Sequence, residues 1–276
     1  MYSYLANARE TRETLQRHGL ATKHRLGQNF LVNDGVIGKI IRLADLTADD
    51  VVLEVGPGIG TLSVALLDAA GSVVAVEADR ELEPVLAETC VPSGRFQLVT
   101  GDALKVIPDG LPAFCEPTAF VSNLPYQVAA TLILGVFQQL PSVSRAVVMV
   151  QAEVADRIAA KPGTKAYGAY TAKLALLGRV TGRFEVGPGN FMPPPHVDSA
   201  VVRIDRAPIE DAPANTATVI DAAFAQRRKT IRNSMSASGF DKAELDRAFE
   251  VAGISPACRA ETLSVDDFVR LACALS

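Results

Sequence analysis

No apolar run in the chain approaches the roughly 20 residues that a membrane span needs. The N-terminal stretch MYSYLANARETRETLQRHG is polar and charged and lacks the apolar core of a secretory leader, so a cytoplasmic protein without membrane contact is expected. Cysteine is scarce. Cys90, Cys115, Cys258 and Cys273 lie far apart with neither metal-type nor redox-type spacing, so free thiols are expected and no metal site is assigned. Histidine is scarcer still, and His18, His24 and His196 are too scattered to receive a catalytic role. Core material is plentiful: 276 residues, 49% hydrophobic and 21% charged, suit one large domain plus a smaller one and exclude a largely disordered chain.

A net charge of -4 argues, taken alone, against a nucleic-acid binder, but the distribution reverses that. Residues 34–116 hold 14 acids against 5 bases, whereas residues 1–30 carry a net +3 and residues 145–185 a net +4. The densest basic cluster is QRRKTIRN, with Arg227, Arg228, Lys229 and Arg232 uninterrupted by an acid. An acidic half beside basic segments suits a small-molecule pocket on one side and a phosphate-binding surface on the other.

Short valine-rich runs at 51–56, 72–79, 96–103, 118–125 and 145–151 predict buried parallel strands. Helical patterns at 34–46, 60–70, 80–89, 127–139 and 152–160 separate them, the alternation of a doubly wound α/β sheet. AYTAKLALLGRV (169–180) predicts a further helix, and GRFEVG with SAVVRIDRA predicts two closing strands. After the proline-containing RAPIEDAPAN the patterns are purely helical: 215–226, 228–236, 241–252 and 264–275. A domain over residues 1–206 and a small all-helical domain over 207–276 are expected.

LEVGPGIGTLS places Gly56, Gly58 and Gly60 between the first of these strands and a helix, where backbone can approach a ligand at a helix N-terminus. Glu77, ending the next strand, is placed to accept from both hydroxyls of a ribose. The spacing is E-x-G-x-G-x-G rather than the G-x-G-x-x-G of a dinucleotide fold, and no bases await a pyrophosphate. GDA puts Asp102 at the next strand end for an adenine amino group, and Asn123 ends the one after. Such an acidic pocket favours a cationic sulfonium cofactor, S-adenosyl-L-methionine.

VSNLPYQ then raises its own question, because Pro125 stops both strand and helix directly after Asn123. With HRLGQNFLVND, LEVGPGIGTL, VEAD, GDAL, NLPY, KAYGAYT, FMPPPHVDSAVVRI and FAQRRKTIRNSM all present, the chain resembles the ribosomal RNA adenine N6-dimethyltransferases over nearly its full length. The resemblance implies a Rossmann-like, seven-stranded methyltransferase sheet with a small all-helical C-terminal domain that binds RNA through Arg227, Arg228, Lys229 and Arg232. It implies cofactor contacts at Gln28, Asn29, Leu31, Gly56, Gly58, Glu77, Asp102, Ala103 and Asn123. KHRLGQNFLVND would close over the methionine end, with Gln28, Asn29 and Phe30 on its inner side.

On the same reading the Asn123 side-chain oxygen and the Leu124 carbonyl accept from an adenine N6, Pro125 holds the carbonyl, and Tyr126 offers a stacking face. By resemblance Phe191 covers the other side of the base. Relatives often read NLPYN, whereas this chain has Gln127 after the tyrosine. The activity so implied is dimethylation of two adjacent adenosines near the 3′ end of small-subunit (16S) rRNA, by a monomer acting on an assembling 30S particle during ribosome biogenesis. The alternatives are a large-subunit enzyme of the macrolide-resistance type, a DNA adenine methylase, for which no target-recognition insert is visible, and an assembly or transcription factor with a vestigial pocket.

Overall fold

The computed structural model describes residues 1–20, 28–112 and 116–276. His24, Cys115 and residues 23–27 of the KHRLGQNFLVND segment lie outside the described residues. Helix α1 (Ala8–Arg17) precedes a two-residue strand β1 (Phe30–Leu31) and helix α2 (Asp34–Ala44). Strands and helices then alternate: β2 (Val51–Val55), α3 (Thr61–Ala69), β3 (Ser72–Glu77), α4 (Glu83–Thr89), β4 (Phe96–Thr100), α5 (Ala103–Asp109), β5 (Ala119–Asn123), α6 (Ala129–Gln139) and β6 (Arg145–Gln151). Next come α7 (Ala152–Ile158), α8 (Ala169–Ala175), β7 (Gly178–Val186), the two-residue β8 (Phe191–Met192) and β9 (Ser199–Arg206). The chain ends in α9 (Thr216–Phe224), α10 (Ile231–Ala237), α11 (Lys242–Ala252) and α12 (Val265–Ala274). Among the described residues no helix is long and apolar enough to cross a membrane.

Seven strands form one sheet in the order β4-β3-β2-β5-β6-β9-β7. β2 to β6 are parallel, as their unbroken valine-rich runs imply for strands covered on both faces, and β9 runs antiparallel to β6. Between β2 and β5 the main-chain register covers only Val52↔Ala119 and Leu53↔Phe120. Beyond it the buried Ser122 hydroxyl takes over, donating to Val55 O at 2.5 Å and accepting from Val55 N at 3.3 Å.

Two helices went unread in the sequence because neither is announced by a long apolar stripe. α1 is capped by Asn7, whose side chain accepts from Arg9 N and Glu10 N, and seven-residue α5 is capped by Asp102. The helix expected over 169–180 stops at Ala175, and from Gly178 exposure alternates with the period of two that an edge strand requires. The basic turn is not helical either: α9 ends at Phe224 and α10 starts at Ile231, with the Thr230 side chain capping Asn233 N.

The chain divides into two compact units, one of Met1–Ala155 with Val180–Arg206 and one of Asp156–Arg179 with Ala207–Ser276. The second therefore takes a segment expected in the first. Its core explains why: Tyr167 and Ala172, both buried, join Val219, Ile220, Phe249 and Phe268, and the Tyr167 ring meets Phe224 edge-on at 6.0 Å.

In the first unit a buried ion pair ties three elements. Arg145, starting β6, donates to Asp50 Oδ2 at 2.7 Å and to the α2 terminal carbonyl Ala44 O at 2.7 Å. Burial alone would push the Asp50 carboxyl up, yet hydrogen bonds from Thr118, Thr47 and Arg145 outweigh it and hold the group below its ordinary value. Arg145→Ala leaves that carboxylate buried and the helix end bare, for an expected loss of about 3–5 kcal/mol in urea unfolding. Because a depressed carboxyl stabilises above its unfolded pKa and stops doing so as pH falls through the folded one, the gap between parent and variant should narrow on acidification below about pH 4.

Candidate active site

The strand order reverses between β2 and β5, and open α/β sheets form ligand crevices outside the carboxyl ends of strands at such a point. A cavity of about 250 Å³ lies there. All nine residues expected to contact the cofactor line it, as do Leu124, Pro125, Tyr126 and Gln127.

The turn from β2 into α3 carries positive φ at Gly56, Gly58 and Gly60. At Gly60 a Cβ would sit 2.6 Å from Cys90 Sγ, and at Gly58 it would sit 3.0 Å from the Phe30 ring, so both packing and backbone demand glycine. Gly58 N donates to Glu77 Oε2 at 3.2 Å, closing the turn onto β3. α3 begins with no side-chain cap, and Thr61 Oγ1, buried against the cavity, has no partner among the described residues.

Acids face this turn. Glu77 is buried, with Oε1 accepting from Asp79 N at 2.9 Å; burial pushes its carboxyl up while the N–H groups of Asp79 and Gly58 pull it back. Asp102 caps α5 by accepting from Leu104 N at 3.0 Å. Glu54, the first letter of the glycine pattern, received no role from the sequence although a single acid inside VVLEVG was its signal. It is 1% exposed, accepts from Ser63 Oγ at 2.6 Å and lines the cavity. Burial pushes its carboxyl up to about 8, the Ser63 bond opposing and nearby Glu77 adding.

S-Adenosylmethionine carries a carboxylate, two cationic centres, a ribose diol and an exocyclic amine. The unpartnered Thr61 hydroxyl at a helix N-terminus suits the first, and Glu54, Glu77 and Asp102 supply acceptors for the others, so the donor set fits the cofactor.

Asn123 ends β5 with its amide nitrogen donating to Asn29 O at 3.3 Å, which leaves Oδ1 as the accepting end of the side chain. Leu124 N donates to Met149 O at 3.1 Å, Val128 N to Pro125 O at 3.2 Å, and the Tyr126 hydroxyl shares a 2.7 Å hydrogen bond with buried Ser199 on β9. Asn29 is positioned through β1, which pairs Phe30↔Met192 and Leu31↔Phe191 with β8. Asn33 secures the same junction, capping α2 and donating to Asn190 Oδ1 at 2.8 Å. Phe191 does not reach the cavity. It is 3% exposed and belongs to the core with Leu31, Val36 and Val201, because its strand partner holds it inward.

The basic residues of the second unit also differ from a simple phosphate-facing row. Arg232 is bidentate on Asp246 at 2.5 and 2.7 Å, and Arg227 donates to Glu261 Oε2 and Lys165 O. Arg228 and Lys229 are exposed in the turn.

The sequence pattern of the family described as ribosomal RNA adenine dimethylase matches residues 19–276. The chain belongs to that family. Relatives named ribosomal RNA small subunit methyltransferase A include one from Rhodococcus erythropolis, 43% identical and covering 95% of this chain and 91% of its own length. One from Rhodococcus opacus is 44% identical, covering 95% and 92%. Among solved structures, a dimethyladenosine transferase from Plasmodium falciparum matches with a TM-score of 0.75 at 26% identity, over 88% of this chain and 95% of that one. The dimethylase family thus accounts for the sheet, and its members use S-adenosylmethionine.

A carboxyl raised by folding stabilises only while protonated. The ligand-free protein should therefore lose stability as pH climbs from about 4.5 to 8, the span between the ordinary and the folded value. Glu54→Gln should flatten that decline, with melting temperatures of parent and variant diverging toward pH 9.

Proposed function

We propose that the chain dimethylates N6 of two adjacent adenosines near the 3′ end of small-subunit (16S) rRNA, as a monomer acting on an assembling 30S particle in the cytoplasm. The observation that carries the reading is the Asn123–Tyr126 segment at the mouth of the cavity, its amide oriented by Asn29 and its ring by Ser199. S-Adenosylmethionine, when bound, supplies an electrophilic methyl group on sulfur. Gly56, Gly58, Glu77, Asp102 and Ala103, which line the cavity at the strand ends, would hold it, with Gln28, Asn29 and Leu31 on the N-terminal side.

The adenine N6 lone pair is delocalised into the ring, so the amine is a poor nucleophile until it pyramidalises. Asn123 Oδ1 and the Leu124 carbonyl accept its two hydrogens, favour that geometry and face the positive charge that develops on nitrogen. Pro125, directly after Leu124, holds that carbonyl in place, and Tyr126 stacks on the flipped-out base for roughly 1–3 kcal/mol. Once methylated, the amine is acidic enough to lose its proton to water, so no dedicated base is needed. Alignment of the amine with the methyl group carries much of the rate. Arg227, Arg228 and Lys229 would meet rRNA phosphates, while the Asp246 pairing gives Arg232 a structural task.

Support for the small subunit comes from the relatives at 43–44% identity that bear that name. The large-subunit alternative rests on the structure of the 23S rRNA methyltransferase ErmE, with a TM-score of 0.69 at 26% identity over 90% of this chain and 99% of that one. Labelled methyl transfer to unmethylated small subunits, with large-subunit RNA and DNA as parallel acceptors, decides between them: dimethyladenosine in small-subunit rRNA alone is expected, and label confined to another acceptor overturns the reading. Asn123→Ala should lower kcat by about 100- to 1,000-fold, the scale of losing one transition-state partner, while RNA affinity is largely kept. Ser199→Ala removes only the ring's tether, so about 1 kcal/mol, or roughly a 5-fold drop in kcat/KM, is expected, with Ser199→Thr restoring it.

A further inference from the structure

Four residues with side-chain amides line the cavity at the strand ends: Gln28, Asn29, Asn123 and Gln127. Gln28 Nε2 donates to Asp79 Oδ2 at 3.0 Å, and Asn123 Nδ2 donates to Asn29 O at 3.3 Å. Gln127 differs. It is exposed, and among the described residues its amide has no hydrogen-bond partner. It is also the position at which NLPYQ departs from the NLPYN of relatives, with a side chain longer by one methylene.

The backbone places this amide beside the stacking ring. Val128 N donates to Pro125 O at 3.2 Å, closing a four-residue turn with Tyr126 and Gln127 at its two corners. Both corner residues line the cavity, as do the apolar Val128 and Leu132 that follow. The Tyr126 hydroxyl is tied to Ser199 at 2.7 Å, so a fixed ring stands next to an amide with no tie of its own.

Asn123 Oδ1 and the Leu124 carbonyl serve only the amine of an adenine. The ring nitrogens N1 and N7, one on each side of the carbon that carries the amine, are acceptors, and taking them out of water without a donor costs free energy. Among the side chains of residues 123–128, Asn123 Nδ2 is spent on Asn29 and the Tyr126 hydroxyl is shared with Ser199. Gln127 holds the remaining amide. We propose that Gln127 donates an amide N–H to a ring nitrogen flanking the target amine, which makes it a specificity-determining residue for adenine. The inference rests on the rRNA adenine reading above and deepens it by naming how the ring, as distinct from the amine, is recognised. Methylation leaves this contact intact. The first transfer replaces one N6 hydrogen by a methyl group, so Asn123 and Leu124 then share a single hydrogen, while N1 and N7 keep their lone pairs. Gln127 therefore carries a larger share of the hold on the monomethylated base.

The test is labelled methyl transfer by the full chain to unmethylated small ribosomal subunits, with the nucleosides identified. Gln127→Met keeps an unbranched side chain of similar length and loses the donor. It should lower kcat/KM about 5-fold, the scale of one neutral hydrogen bond, and let N6-monomethyladenosine accumulate where the parent completes dimethylation. Melting temperature and cofactor affinity should stay at the parent's values, because the side chain is exposed and bonds no other residue. Gln127→Asn, which restores the amide one methylene short, should recover part of the rate. Subunits carrying 1-deazaadenosine or 7-deazaadenosine at the target positions identify the nitrogen: one of the two should slow the parent by more than it slows Gln127→Met. Any effect of the analogue on the amine itself is common to both proteins and cancels in that comparison. If Gln127→Met keeps the parent's rate and product ratio while the parent dimethylates subunits, the assignment is overturned and the rRNA reading stands. Loss of rate in the variant with both analogues slowing it as much as the parent overturns the ring-nitrogen contact. A parent that methylates no adenosine in small subunits overturns both.

Discussion

Buried main-chain groups must find partners, and the chain meets that constraint where β2 and β5 part. Their shared ladder ends at Leu53 and Phe120, two residues short of Val55 and Ser122. The Ser122 hydroxyl serves both the N–H and the C=O of Val55, so the strands separate at their carboxyl ends without leaving polar backbone orphaned. The cavity depends on this separation. A full ladder would carry β5 alongside the glycine turn and leave less room between Gly56 and Pro125, which already approach so closely that a Cβ on Gly56 would touch the proline ring at 3.4 Å.

Around that opening the side chains act in pairs drawn from distant parts of the chain. Asn123 is aimed by a carbonyl 94 residues earlier, and Tyr126 by a hydroxyl 73 residues later. Glu77 is held by the turn that belongs to the preceding strand. Asn123, Tyr126 and Glu77 each have a partner on another element, which fixes their direction more firmly than local backbone could alone. On the proposed mechanism positional accuracy matters, because Asn123 and Tyr126 would both have to be in place before the target nucleotide arrives.

The sheet was legible because valine-rich runs flanked by glycine and acidic turns have few other readings, and the strand-end residues followed from it. NLPY and the glycine turn were legible for a related reason: each combines residues that regular structure rejects. What escaped the sequence is non-local. The β1–β8 ladder has two residues on each side, too few for any periodicity, and it turns Phe191 into core. The boundary of the helical unit escaped because Tyr167 and Ala172 bury against helices that begin some 45 residues later in the chain. Arg232 read as free because Asp246 lies on a different helix, one whose acids look like ordinary surface charge. Gly178 and Arg179 read as helix because residues before them carry a helical stripe, while the strand that claims them is stabilised only by its neighbour in the sheet.

That outermost strand, β7, carries Arg179, Thr181, Arg183 and Glu185 on its exposed positions. A bare strand edge invites a second copy to continue the sheet, and such joining can propagate. Here it would strip water from charged side chains of both copies. Charge on this outermost strand thereby opposes cross-strand growth at one end of the sheet, which matters most in a crowded, newly made population of the chain.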